Sequence, residues 1–386
     1  MKYVKICFMA IFTVFITLVG IMTLNNENKV SELEARNLTL FRKPTAEEVL
    51  DGTWENDTNT AFSDQLEFRN FFVSAYYKIT MQKYTGDVAE GSHKQLYSSA
   101  QKEKDWQKYE KELVDIAKEI NGVADNLAAN GTKFIFVSIP RKDAVMTDYL
   151  PRYYTSSDKV YKKAMKVLKK NFNKNVIVID GYYVFKKSAN KGNDCYFSTD
   201  HHITFYGGMY IYEKVMKYVS TDYPNVPVLT VDDYDVEKVT VIGSFNRLIG
   251  NRITSDPEPL CVALKNPFFT YTRTESGKPS NKKIWGENVN AYTLAYMERD
   301  NAETVVTTTN ENSPNILITG SSFSNVLETL LVPSCHVMAS VDYRHNETGK
   351  SVEQYAEELE ADYVIYIPSQ SNDALSISKM KTHLGH

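Results

Sequence analysis

Two short segments of the chain hold the side chains best suited to covalent chemistry. In T-D-H-H-I-T (199–204) an aspartate is followed by two histidines, and in N-I-L-I-T-G-S-S-F-S (315–324) an apolar run ends at Gly320 and a serine pair. A serine hydroxyl is a weak nucleophile at neutral pH and needs an adjacent base. Imidazole serves if a carboxylate fixes its tautomer and stabilises its charged form. Asp200, His202 and Ser322 are therefore a candidate constellation for attack on an ester carbonyl. In an extended segment Asp200 and His202 share one side and His201 takes the other, left to packing or to a substrate.

Each segment also has a plainer reading. A serine at a strand-to-helix junction commonly caps the helix, and a histidine beside an aspartate can be a satisfied packing residue. Asp194, Asp200, His201 and His202 could alternatively hold a metal. Against that, the spacing is not a helical i, i+4 histidine pair, and His93, His336, His345, His383 and His386 form no second cluster.

The elements that must position these residues alternate helix and strand. Residues 105–131 read as a long amphipathic helix stopped by Gly131, 133–140 as a buried strand, 158–172 as a helix and 175–180 as a second strand. After a pause the rhythm resumes with strand 315–320, helix 324–331, strand 335–343, helix 351–361 and strand 362–368. Such alternation predicts a parallel sheet covered by helices. Open sheets of this kind take ligands beyond the carboxyl ends of their strands, where Ser322 falls. The start of the next helix supplies unpaired N–H groups, and those of Ser322 or Phe323 could stabilise an oxyanion. Thr204 is the expected N-cap of the helix after the histidines.

The expected organisation is a membrane anchor at 1–24, a juxtamembrane lead-in at 25–100 and a catalytic domain at 101–368. That domain carries an insertion of short strands at about 220–313, on or beside the sheet, and a polar tail follows at 369–386. The anchor rests on Lys2 and Lys5 preceding an uncharged, mostly apolar run from Ile6 to Leu24, near the ~20 residues that cross a bilayer. The basic leader puts the remainder outside the cell. "IMTLNNENK" offers no small-residue cleavage site, which favours an uncleaved anchor. A net charge of −4 over 386 residues leaves no basic footprint for nucleic acid. The 26 tyrosines suit either sugar stacking or a tyrosine-rich core. Cys195, Cys261 and Cys335 allow at most one bridge among themselves, and no C-x-x-C indicates a zinc ribbon.

Taken together, "TDHHITFYGG" and "ITGSSFSNVL" resemble the motifs of bacterial DHHW-motif proteins and of the alginate O-acetyltransferase group, which look like circularly permuted SGNH-hydrolase-like folds. Ile203 stands where the family has an aromatic residue, and Ser321 precedes the nucleophile where Asp is commoner. "SIPRKDAVMTDYLP", "VIGSFNRLIGN" and "VDYRHN" resemble further family segments. The resemblance implies a three-layer α/β sandwich with a parallel sheet and a membrane-anchored, extracellular O-acetyltransferase of a surface polysaccharide or cell-wall glycan. In that picture Ser322 is acetylated, His202 is the base and Asp200 orients it. Arg344, Lys142 and His201 face substrate or donor, and no cofactor or metal is needed. A multi-pass membrane acyltransferase would deliver the acetyl group. An acetylesterase with the same residues and a non-catalytic glycan-binding module are the alternatives.

Overall fold

A computed structural model describes residues 2–31, 36–82, 88–99, 105–188, 190–286, 292–298, 301–346, 348–368, 381 and 384–385. The chain divides into two compact units, Met1–Val88 with Ser244–Ile253, and Ala89–Gly243 with Thr254–His386. The first unit begins with α1 (Lys2–Asn25), a helix long and apolar enough to cross a membrane. It continues through the antiparallel pair β1 (Val30–Ser31) and β2 (Arg36–Asn37), then α2 (Ala46–Leu50), α3 (Thr53–Gln65) and α4 (Arg69–Gln82). Thr45 and Glu48 form a capping box that starts α2. The Gln65 amide at the end of α3 exchanges hydrogen bonds with both backbone groups of Asn28 and donates to Thr39 O.

The chain then runs through β3 (Val88–Glu90), β4 (Leu96–Ser98), α5 (Trp106–Ala129), β5 (Lys133–Ser138), α6 (Lys142–Val145), α7 (Asp158–Asn171), β6 (Val176–Asp180), α8 (Gly181–Lys186) and α9 (Phe205–Asp222). After β7 (Tyr234–Val239) comes α10 (Ser244–Leu248) of the first unit. The second unit resumes with β8 (Glu258–Leu264), β9 (Tyr271–Glu275), β10 (Lys278–Pro279), α11 (Tyr292–Ala295) and β11 (Glu303–Thr308). It closes with β12 (Asn315–Gly320), α12 (Asn325–Leu331), β13 (Val337–Val341), α13 (Val352–Glu358) and β14 (Tyr363–Ile367).

Eight strands form one sheet in the order β10-β9-β11-β13-β12-β14-β5-β6. The five from β13 to β6 are parallel, as the alternation predicts. Their interiors are uninterrupted apolar runs because both faces are covered: Phe134–Val137, Ile316–Ile318 and Tyr363–Ile367 are each at most 1% exposed. Helices α5, α7 and α13 pack together over one face, and α9 packs with α12 over the other. The insertion does more than lie against this sheet. Strand β11 pairs antiparallel with β13, and β9 and β10 follow it, so the sheet is mixed. Alternating burial along β11, with Val306 fully buried, suits a strand with one covered face.

Strand β12 ends where it must turn into the segment carrying Ser321 and Ser322. Gly320 has φ +148°, and a Cβ there would lie 2.0 Å from the Ile367 carbonyl oxygen on β14. Gly349 also has a positive φ, +71°, but open space around it. Gly349→Ala is therefore expected to cost about 1 kcal/mol of backbone strain alone. Gly320→Ala should cost about 3 kcal/mol or more, because it forces the two strands apart. Denaturant unfolding of the detergent-solubilised chain checks this, and equal losses would contradict it.

Candidate active site

The segment carrying the histidines is a closed turn rather than an extended lead-in. Tyr196 and Ile203 form an antiparallel bridge, and Phe197 N donates to His202 O across it (3.3 Å). Thr204 caps α9 by accepting from Gly207 N (3.2 Å), and its hydroxyl donates to Asp194 O (2.5 Å). Side-chain alternation therefore does not pair Asp200 with His202. The turn does, because one carboxylate oxygen, Asp200 Oδ1, accepts from both His202 N (2.9 Å) and His202 Nδ1 (2.7 Å).

With Nδ1–H donating to Asp200, the other ring nitrogen presents its lone pair. It does so to Ser322 Oγ, 2.8 Å away. Asp200, His202 and Ser322 are thus brought into one hydrogen-bonded line although 120 residues separate the last two. The His202 ring stacks on Tyr292, centroids 4.0 Å apart and 8° from parallel, and Phe323 flanks it at 5.3 Å. Ser322 opens a 3₁₀ turn, Ser322–Ser324, directly ahead of α12. Ser324 Oγ donates within the junction, where Ser321 O (2.8 Å) and Glu328 Oε1 (2.5 Å) are its partners. The Tyr292 hydroxyl donates to Ser322 O (2.8 Å) and accepts from Val326 N (3.3 Å). One tyrosine thus holds the imidazole by its ring and the serine backbone by its oxygen.

Around Asp200 the backbone is pinned from three sides. Gly243 packs so closely that a Cβ would meet Thr199 O at 2.1 Å and Asp200 N at 2.6 Å, and its N–H donates to Thr199 Oγ1 (3.1 Å). Glu258 accepts from Ser198 N (2.6 Å) and Ser198 Oγ (3.0 Å), and burial pushes its carboxyl pKa up. Lys142 corrects the sequence expectation. Instead of facing a substrate, it is 4% exposed, and its Nζ donates to Phe197 O (2.7 Å) and Ser198 O (2.6 Å). Burial pulls its pKa down to about 7, against the pull of Glu258 and Asp200. Even the neutral amine keeps two N–H donors for those two carbonyls.

His201 is half-buried, with Nδ1 3.4 Å from Asp200 Oδ1 and its ring 3.9 Å from that of His202. Burial, reinforced by His202, depresses its pKa to about 3. Arg344 pairs with Asp342 rather than with the serine–histidine couple. Asp194 stands outside the cluster, accepting from Asn190 Nδ2 (2.7 Å) and the Tyr210 hydroxyl (3.1 Å). That leaves, among the described residues, Asp200, His201 and His202, whose ligand atoms lie within 4.8 Å of one another, as the group that could hold a metal. Both His202 nitrogens are already engaged, so a metal would have to displace Asp200 or Ser322. Cys195 and Cys335 are buried free thiols with pKa values raised by burial, and the Cys261 side chain lies outside the described residues.

Residues 88–263, which include Asp200 and His202 but not Ser322, match the family model of the SGNH hydrolase-like domain of the acetyltransferase AlgX. The chain has an SGNH hydrolase-like α/β fold. Similar folds occur in Bacillus cereus PatB1, solved with a sulfonyl adduct (TM-score 0.61, 21% identity, 76% of this chain and 97% of that one). A DHHW family protein from Eubacterium siraeum is comparable (TM-score 0.60, 17% identity, 78% and 99%). No curated protein matches the chain. Sequence reasoning missed Tyr292 and Glu258 in the SGNH-like domain. Both lie in the insertion, where no motif or periodicity marks them.

The Lys142 contacts give a stability prediction. Lys142→Met leaves two buried carbonyls without donors, a loss of about 2–4 kcal/mol. The folded-state pKa lies below the unfolded value, so between pH ~7 and ~10 the unfolded chain binds more protons and wild-type stability rises with pH. The gap between wild type and Lys142→Met should widen over that window in parallel denaturant titrations. A gap independent of pH would contradict the assignment.

Proposed function

We propose that this protein is an O-acetyltransferase working through an acetyl-Ser322 intermediate on a carbohydrate hydroxyl. The observation that carries the reading is the Asp200–His202–Ser322 line, with every hydrogen bond at 2.7–2.8 Å. It is supported by the acetyltransferase family model matching the part that supplies Asp200 and His202. Ser322 Oγ attacks the acetyl carbonyl of an ester or thioester donor while His202 Nε2 takes the hydroxyl proton. That proton passes to the departing oxygen or sulfur as its bond to the acetyl carbon breaks. A sugar hydroxyl then gives its proton to His202 and attacks acetyl-Ser322, and the serine leaves with the proton restored. Asp200 keeps Nδ1 protonated and balances the imidazolium. The N–H groups opening the Ser322–Ser324 turn are the candidates to stabilise the tetrahedral oxyanion.

Helix α1 is read as a membrane anchor with the SGNH-like domain outside the cell. A donor made in the cytoplasm would then require a membrane-embedded partner to pass the acetyl group across. His201 is neutral across the working range because its pKa is held near 3, and Lys142 and Arg344 are assigned no contact with donor or acceptor.

The test is acetyl transfer from an aryl acetate by the detergent-solubilised chain, with and without an oligosaccharide acceptor, followed by intact mass. Ser322→Ala and His202→Ala are expected to lose turnover and the +acetyl adduct, and Asp200→Asn to fall about 10⁴-fold. Adduct formation on a residue other than Ser322 would sink the mechanism. Release of free acetate at a rate indifferent to acceptor would assign a hydrolase instead.

Tyr292→Phe keeps the ring stack and loses the hydroxyl bridge. It should lower kcat about tenfold, the effect of one lost positioning hydrogen bond in a preorganised site, and lower stability by about 1–3 kcal/mol because Ser322 O and Val326 N lose a partner. Arg344→Ala should leave kcat and stability within error. A loss of acetyl transfer in Arg344→Ala larger than in Tyr292→Phe would restore Arg344 to the site.

A further inference from the structure

Away from the reactive residues, a cleft of about 610 Å³ opens at the outer edge of the sheet, where β6 is the terminal strand. One wall is a stripe of α9: Tyr210, Lys214, Lys217 and Tyr218 recur at the three- and four-residue spacing that shares a helix face. The opposite wall is the end of β6 and α8, with Tyr183, and Lys187 just beyond.

The charges in the cleft are unequal. Lys169 reaches in from α7 and is neutralised by Asp180 (2.5 Å). Lys187, Lys214 and Lys217 have no ion pair among the described residues, and Glu213 is the one carboxylate left to oppose them. Tyr183 and Tyr218 line the cleft at 49% and 40% exposed, with Lys169 Nζ 5.2 Å over the Tyr183 ring. Ring faces suit the C–H surface of a sugar, and ammonium groups suit an anionic substituent. A flat bilayer would not fill a cleft, and duplex DNA calls for a broad basic surface that a chain of net charge −4 lacks.

The register also places the cleft. Thr319 on β12, Tyr366, Phe136 and Val178 on β6 lie in one row across the sheet. Three strand spacings of ~4.8 Å put the β6 wall about 14 Å from the strand that presents Ser322. We propose that this cleft binds a glycan strand carrying carboxylates or phosphates, at a site distinct from the serine–histidine centre. The proposal goes beyond the acyl-transfer reading and does not depend on it.

The experiment uses the full chain in detergent with Ser322→Ala, so that no turnover complicates binding. It is titrated with polygalacturonate, phosphorylated dextran and plain dextran. At least one anionic polymer is expected to bind with an affinity that falls with salt, and plain dextran is not. Adding Lys187→Glu, Lys214→Glu and Lys217→Glu together should weaken that binding about tenfold or more. The same charge change at exposed α5 positions, Lys108→Glu, Lys111→Glu and Lys118→Glu, should not. Tyr218→Ala should weaken the polymer while leaving inorganic polyphosphate unaffected, the signature of ring contact rather than charge alone. Equal binding of plain dextran, equal loss in both lysine triples, or equally tight binding of duplex DNA or anionic lipid vesicles would overturn the proposal.

Discussion

The second unit is arranged around one acceptor atom. Asp200 Oδ1 takes the backbone N–H and the ring Nδ1–H of the same residue, His202, and so fixes both where that residue starts and where its imidazole points. A buried carboxylate is expensive unless its lone pairs are met by donors, and this one is 4% exposed. The two N–H groups meet part of that cost. The turn around it is then held by its neighbours' peptide groups: Lys142 takes the two preceding carbonyls, Glu258 takes Ser198, and Gly243 lies against the Thr199–Asp200 peptide. A rotamer change in Lys142 or Glu258 would reach the serine through the imidazole. Hence the site is built on rigid parts, a capped helix on one side and a strand end on the other.

How much of this was legible in the sequence depended on the distance over which the information acts. The central parallel strands were readable because burial on both faces leaves apolar runs such as Phe134–Val137 and Tyr363–Ile367. The Thr204 cap was readable because capping is local. The proximity of Asp200 to His202 was read correctly but for the wrong reason. Alternation was assumed, whereas a turn closed by the Tyr196–Ile203 bridge makes the contact. Lys142 misled because a lysine just past a strand end looks exposed. Only the folded loop of Phe197 and Ser198 reveals why it is not.

Long-range pairing was the illegible part. The insertion carries no strong period, yet β11 adds antiparallel to β13 and covers a strand that would otherwise be a free edge. From the same insertion comes Tyr292, whose contacts span the imidazole and the serine turn. The tyrosine-rich composition, ambiguous in sequence, divides between two uses. Tyr97, Tyr212 and Tyr292 are core residues whose hydroxyls are matched to Met146 O, Ser334 Oγ and Ser322 O. Tyr183 and Tyr218 remain at the surface.

The strand order carries a consequence for how such a chain matures as it is made. β14 is inserted between β12, which presents Ser322, and β5, from which the His202 half of the sheet continues. Until β14 emerges, His202 and Ser322 belong to two sheet fragments with no strand between them, linked by the packing of α9 on α12. Translation from the amino end therefore completes Asp200 and His202 early and leaves them idle. A ribosome that stalls between Ser322 and Tyr363 yields a chain that contains Asp200, His202 and Ser322 and lacks the strand that joins the two parts of the sheet.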